Sequence, residues 1–437
     1  MCSPAAATEW FVSAGGSGNG SASAPFGRIQ EGLSAAQSGD VVTVAGGTYP
    51  EALRTVRSGA AGAPIRLRAA AGRGSVVVTA PGRVLTVGHA YLIVEGLVLD
   101  GQYGLDETVR ISNQGEFFEL LNTEVRRSSR DLIDMGSAQG VLVDGCLIHH
   151  ALNAAEGRTD AHGIVAGAVR DLTVRNTEIH TFSGDGLQVD PGRAVPGWSH
   201  VTIEGSRIWL APLPAAENGF AAGTVPGENA VDTKAHAAAA RATMVIRDTV
   251  AYGFRGGLIT NMAAFNLKEN VSVEVDRVTV YDSEIAFRLR GPTSGTAPGA
   301  RVTLVNAVVY DTLTAFRYEN NIEELRIWNS TLGLGITRPF QAASSAASGL
   351  EVRNLLVLGA LPKEAGGLAG SDTQEPAHGN MSVGADAFVN AAAHDYRLAP
   401  RSAAIDAGIA LAGVATDRAG VQRPHGSAFD VGAYERP

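Results

Sequence analysis

The chain has 437 residues, 45% of them hydrophobic and 18% charged, with a net charge of −9 at pH 7. That length and apolar content support a large core and exclude a disordered chain. An acidic balance without a basic run excludes general affinity for nucleic acid, and no apolar run reaches the roughly 18 residues of a membrane span.

Residues 1–8 read as a small-residue linker. It contains Cys2, one of two cysteines. Cys2 has two readings: the lipid-modified cysteine of a bacterial lipoprotein whose signal peptide is gone, or an uninformative N-terminus. Either suits an exported protein, whether secreted, periplasmic or held on the outer surface as a lipoprotein. The other cysteine, Cys146, lies in the apolar strand pattern VLVDGCLI and is expected to be a buried free thiol. A monomer is expected.

Residues 9–50 form the N-terminal cap. EWFVSA reads as a strand, and PFGRIQEGLSAAQSGD as a short helix, with Ile29 and Leu33 four apart on one apolar face. Such a helix covers the open edge of a first coil. From 51 to 360 short β-rich phrases recur, among them YLIVEGLVLDG, GVLVDGCLIHH, HVTIEGSRIWLA and VSVEVDRVTVYDSE. Between them sit DLIDMG, HGIVAG, DGLQVD, NAVDTK, GGLITN, IAFRLR and AFRYEN. The first six begin at 131, 162, 185, 229, 256 and 285, in steps of 31, 23, 44, 27 and 29. Those steps lie in the roughly 20–50 residue range of solenoids, and a propeller blade of about 40–45 residues is too long. Helical periodicity is absent, so the expected fold is all-β: a parallel β-helix with three short strands per coil. Residues 361–437 lose the repeat and read as a C-terminal cap packed on the last coil, within a single domain of 9–437.

Side chains alternate across a strand, so the register decides which residues face out. One outward row reads Asp134, Val165, Gln188, Asp232, Ile259, Arg288, Arg317. The other reads Gly136, Gly167, Asp190, Lys234, Asn261, Arg290, Glu319. Lysine is scarce, occurring only at positions 234, 268 and 363. The 44-residue step inserts the loop APLPAAENGFAAGTVPGE, and NAAEGRTDAHG brings Asp160 and His162 to the same edge. Long insertions in a solenoid wall a binding face. A charged stripe between such walls suits an anionic sugar chain. The bland alternative is a surface ion pair of Asp190 with Lys234, worth about 0–1 kcal/mol.

The opening APFGRIQEGLSAAQSGDVVTVAGGTY resembles the N-terminal segment of right-handed parallel β-helix proteins of the pectate lyase-like superfamily. The ending, SAAIDAG through DVGAYE, is similar to the C-terminal segment of the same bacterial proteins. The resemblance implies a right-handed coil, action on acidic polysaccharides and, in many members, Ca²⁺-dependent β-elimination. Asp185 and Asp190 in GDGLQVD are similar to the Asp-rich strand of polysaccharide lyase family 9, and Lys234 matches that family's lysine base only by its place on the outer face. GENAVDTKAH followed by GFRGG, with Arg255, resembles the lysine and arginine on adjacent coils in the alginate lyase and chondroitinase B group. The expected site is therefore Lys234 as base with Arg290, and Arg288, Arg255, Asn261, Arg317 and His162 on the substrate. Asp190, Asp232, Glu228, Asp185 and Asp160 would hold Ca²⁺ through hard oxygen ligands. A C5-epimerase, a glycoside hydrolase using Asp190 with Asp232, and a non-catalytic carbohydrate-binding surface protein are the rival readings.

Overall fold

The structure, a computed structural model, describes residues 7–154, 160–291, 298–319, 321–342, 349–362 and 373–437. Cys2 and Lys363 lie outside these. The chain divides into two compact units, Met1–Thr202 with Leu210–Gly227, and Ile203–Trp209 with Glu228–Pro437.

Each unit is built from coils of a right-handed parallel β-helix. In unit 1 one coil runs Glu119–Leu121, Glu124–Ser128 and Ile133–Met135. The next coil begins at Leu142–Asp144, which lies parallel to the first strand, with Leu120 opposite Val143. The corner between the first two strands holds Asn122 at φ 47°. Asparagine accepts this left-handed conformation more readily than most residues. In unit 2 the same corner is made by Asn306, Asn329 and Asn354, at φ 56°, 42° and 51°. There Asn354 donates to the Asn329 side chain at 3.3 Å.

The interior of the coils is apolar and stacked. In unit 1, Val109, Ile133, Ile164 and Leu187 occupy one column, each in register with the next and each with no exposed area. In unit 2 the column is aromatic: Phe265, Phe287, Phe316 and Phe340 stack at 5.2, 5.7 and 5.6 Å. Each buried ring contributes about 1.5–3 kcal/mol. A slip of one residue would put Arg288 inside in place of Phe287, so this stack fixes which side chains face out. Cys146 is buried and free, as expected, and burial pushes its thiol up to about 12.

At the N-terminus the helix Ile29–Ala35 buries Ile29 and Leu33. Its free N–H groups at Ile29 and Gln30 are taken by the buried Glu51 carboxylate, at 2.7 and 3.2 Å. A carboxylate there suits both the open donors and the helix dipole. Gly32 is required by close approach, because a Cβ would lie 2.6 Å from a Val42 methyl.

The C-terminal segment departs from expectation. It does not sit on the last coil alone but runs back along several coils of unit 2. Arg418 donates to the Val278 and Asn306 carbonyls, Ala433 to Thr331 and Gly432 to Asn354. Its fully buried Arg423–Glu435 pair, at 2.5 Å, satisfies charge inside this layer. Among the described residues, no helix is long and apolar enough to cross a membrane.

Candidate functional site

The charged stripe is found on one sheet of unit 2. Its strands are β1 (Val231–Thr233), β2 (Ala263–Leu267), β3 (Thr279–Arg290), β4 (Thr312–Glu319) and β5 (Arg338–Ala342). The register sets Asp232 beside Asn266, Asn266 beside Arg288, Arg288 beside Arg317 and Arg317 beside Gln341. In the next outward row Arg290 lies beside Glu319. Lys268 follows Leu267, the partner of Leu289, and so continues that row next to Arg290.

This corrects one coil of the sequence reading. Asn261 and Ile259 belong to the loop ahead of β2, not to the stripe, and Leu258, expected inside, is 49% exposed. The segment GGLITN alternates as a strand does, but Phe265 is the residue that joins the ring stack, with Leu267 in register with Leu289. Asn261 still reaches the stripe from its loop, accepting from Arg317 Nη1 at 2.5 Å. The signal was present in the aligned phrases VDTK, FNLK, FRLR and FRYE, where an inward residue separates two outward polar ones. Lys268 and Asn266 were the residues missed.

Two carboxylates organise the stripe. Asp232 is 2% exposed. Lys268 Nζ lies 2.6 Å from its Oδ1 and Lys234 Nζ 3.4 Å from its Oδ2. Glu319 gathers three arginines through their Nε atoms: Arg288 at 2.7 Å, Arg317 at 2.9 Å and Arg290 at 3.7 Å. Burial pushes the Glu319 carboxyl up, but the hydrogen bond from Arg288 and the three guanidinium charges outweigh it and leave it below the usual range. Five basic side chains thus lie around two carboxylates, in a chain of net charge −9. Beside them the buried Asn266 Oδ1 has no donor among the described residues.

The other expected residues lie elsewhere. Arg255 is held by Asp282 at 2.8 Å and Asp311 at 3.2 Å, so its guanidinium is engaged away from the stripe. Glu228 precedes β1 and is half-buried. Asp160, His162, Asp185 and Asp190 belong to unit 1. There His162 is buried; its Nδ1 accepts the Asp185 N–H at 2.7 Å and its Nε2 lies 3.2 Å from Asp160. Gln188 donates to Asp185 at 2.8 Å. The Asp190 carboxylate accepts the Ala194 N–H at 2.9 and 3.0 Å, closing its own loop. The five residues expected to bind calcium are therefore split, three in unit 1 and two in unit 2, and protein groups reach the carboxylates of Asp160, Asp185, Asp190 and Asp232. Among the described residues no three His, Cys, Asp or Glu groups converge to hold a metal ion. The donor set does not fit Ca²⁺ within either unit.

Unit 1 also carries a group that the sequence reading left out. His149 and His180 stack at 5.0 Å, and His150 meets His149 edge-on at 4.7 Å, with their Nδ1 atoms in contact. Burial lowers His180 to about 3. Glu124, hydrogen-bonded to His149 and beside Arg126, is lowered to about 2. The insertion ending at Gly227 is pinned here: Tyr103 donates to Glu217 at 2.5 Å, and Leu213 and Phe220 pack on Leu152.

The chain resembles solved β-helical enzymes over most of its length. It is 16% identical to pectate lyase Pel9A, covering 98% of this chain and 96% of that one, with a TM-score of 0.54. A rhamnogalacturonan lyase is 14% identical over 80% and 87%, with a TM-score of 0.55. The fold is that of the pectate lyase-like parallel β-helices. The same fold occurs in a lacto-N-biosidase from Eubacterium ramulus, 12% identical over 79% of this chain and 67% of that one, TM-score 0.55. No family model matches the chain, and no curated protein matches it. At these identities the pectate lyase-like likeness is one of fold.

Proposed function

We propose that the unit 2 stripe binds a uronate-containing polysaccharide and cleaves it by β-elimination, in an exported protein. The observation that carries this is the gathering of Arg288, Arg290 and Arg317 on the single carboxylate of Glu319, on outward rows whose spacing is about 4.8 Å per coil. A polymer bearing a carboxylate on its sugars would meet Arg288, Arg290 and Arg317, whose forked donors suit carboxylates. Glu319 holds those forks in place. The Asn266 oxygen is available to a sugar hydroxyl.

Pairing the uronate carboxylate with guanidinium groups makes the proton on the adjacent carbon more acidic. Lys234 is the proposed base. Lys268 sits nearer to Asp232 than Lys234 does, and so keeps that carboxylate neutralised when Lys234 takes part. The neutral Lys234 amine takes the proton, the C–H electron pair forms the carbon–carbon double bond, and the glycosidic bond breaks with its electrons going to the leaving oxygen, which takes a proton from solvent. No step uses a metal ion.

Hydrolysis is the second reading, favoured by the shared fold of the lacto-N-biosidase. It needs one carboxyl held protonated as an acid. Glu319 is held ionised and does not supply that acid within the stripe.

The test is incubation with pectate, alginate and glycosaminoglycan chains while following the ultraviolet absorbance of the unsaturated product. Wild type with and without EDTA and Lys234→Ala are run together. Absorbance on one polymer, unchanged by EDTA and lost in Lys234→Ala, is the expected result. Loss with EDTA would restore the calcium reading. New reducing ends without absorbance would favour hydrolysis. A flat trace on every polymer, with binding retained, would leave a carbohydrate-binding protein or a C5-epimerase.

A further inference from the structure

Unit 2 presents a second cluster of sugar-compatible groups on a different sheet. A pocket of about 460 Å³ opens between three parallel strands, Val271–Asp276, Arg301–Val305 and Glu324–Trp328, and the segment 413–416. That size suits a small ligand. Its floor is set by register. Glu274, Thr303 and Arg326 follow one another on successive coils, and Asp276, Val305 and Trp328 form the adjacent row. The floor thus offers carboxylate, hydroxyl and guanidinium in one line and an indole at the end of the other.

Three features make this a built pocket. The Trp328 indole N–H is buried and has no acceptor among the described residues. Buried donors are rarely left this way unless water or a ligand supplies the acceptor. The Arg326 guanidinium lies over the Trp328 ring, 5.6 Å from its centre, and holds the indole in place. The wall is tied down by Asn306, whose Nδ2 donates both to Asp276 at 3.0 Å and to the Thr416 carbonyl at 3.1 Å. The pocket therefore exists before a ligand arrives, which lowers the ordering cost of binding.

We infer that this pocket binds a neutral oligosaccharide, independently of the stripe and of the reaction proposed there. A sugar ring offers an apolar face to an indole and hydroxyls that donate to carboxylates and accept from guanidinium and indole N–H. Charge disfavours the acidic polymer here: Asp276 is paired with Arg277 and the pocket's cation, Arg326, is already paired with Glu324 at 3.1 Å, which leaves Glu274 to repel a uronate, while the stripe would attract one. The two sites thus take chemically different parts of a mixed polysaccharide.

The experiment is calorimetric titration of the whole chain with cellotriose, xylotriose and maltotriose, and with trigalacturonate as the acidic control. At least one neutral trisaccharide is expected to bind saturably. Trp328→Ala and the exposed-site variant Glu274→Ala are each expected to weaken it about tenfold, with Lys234→Ala binding it as wild type does. Glu274→Ala keeps the test valid if Trp328→Ala unfolds. No saturable binding of any neutral trisaccharide overturns the inference. So does binding that Glu274→Ala leaves unchanged, or binding of trigalacturonate that is lost in Glu274→Ala.

Discussion

The two units use the same kind of strand for different ends. In unit 1 the outward row runs Arg110, Asp134, Val165, Gln188. Arg110 and Asp134 cancel at 2.6 Å, Val165 is apolar and buried, and Gln188 is bound to Asp185. In unit 2 the corresponding row and its neighbour carry five cations on two anions. The difference teaches where to look for function in a solenoid. A repeat gives every coil an outward position, and a candidate site stands out where several successive coils gather charge of one sign around few carboxylates.

The largest expected effect tests that contrast at the stripe. Lys234→Ala should lower eliminative activity by about 10²–10⁴-fold, the range for loss of a positioned acid–base group. The fold should be intact by melting temperature. If activity survives, the stripe only binds.

Next in size is Glu319→Gln, read by denaturant unfolding. Removing the anion leaves three partly buried guanidinium groups facing one another. A loss of about 2–4 kcal/mol is expected at pH 7. Because the folded Glu319 carboxyl titrates below its unfolded value of 4.5, its contribution is present above that pH. It is lost as the pH falls through the folded value, and the variant should lack that acid-induced loss.

Unit 1 gives a smaller effect of different origin. His180, lowered by burial and then by the nearby His149 and His150, titrates near 3 when folded and near 6.5 when unfolded. Between those values the unfolded chain binds more protons, so stability falls as the pH drops. His180→Gln should flatten that fall by about 1–2 kcal/mol at pH 5, measured by urea unfolding. The smallest effect is Arg110→Ala, which breaks the balanced pair of unit 1. Activity on the polymer should stay within about twofold, as for a partly exposed ion pair that takes no part in the proposed reaction. A large loss would erase the distinction between the units.

Much of this was legible in the sequence. The coils, the capping helix and the outward placement of Arg288, Arg290, Arg317 and Glu319 followed from alternation, because Phe287, Leu289, Phe316 and Tyr318 are bulky and strictly spaced. The coil holding Asn266 was misread because β2 begins with two small alanines while the preceding loop mimics a strand. The metal expectation shows a different limit. A sequence displays carboxylates but not what reaches them: Asp232 looked like a calcium ligand, and its oxygens face two lysines. Asp190 similarly serves the Ala194 backbone. Chain distance hid the Trp328 pocket, since its wall comes from residues more than 80 positions later.

The column of stacked phenylalanines also makes the stripe a ruler. Each ring marks one coil, and each coil advances the outward row by about 4.8 Å. Duplicating or deleting one Phe-centred coil would lengthen or shorten the cationic face by one rung, leaving the remaining rungs in register. On the proposed function, such a chain would keep Lys234 in place while changing how many sugar units it spans, so its length preference would become countable in aromatic rings.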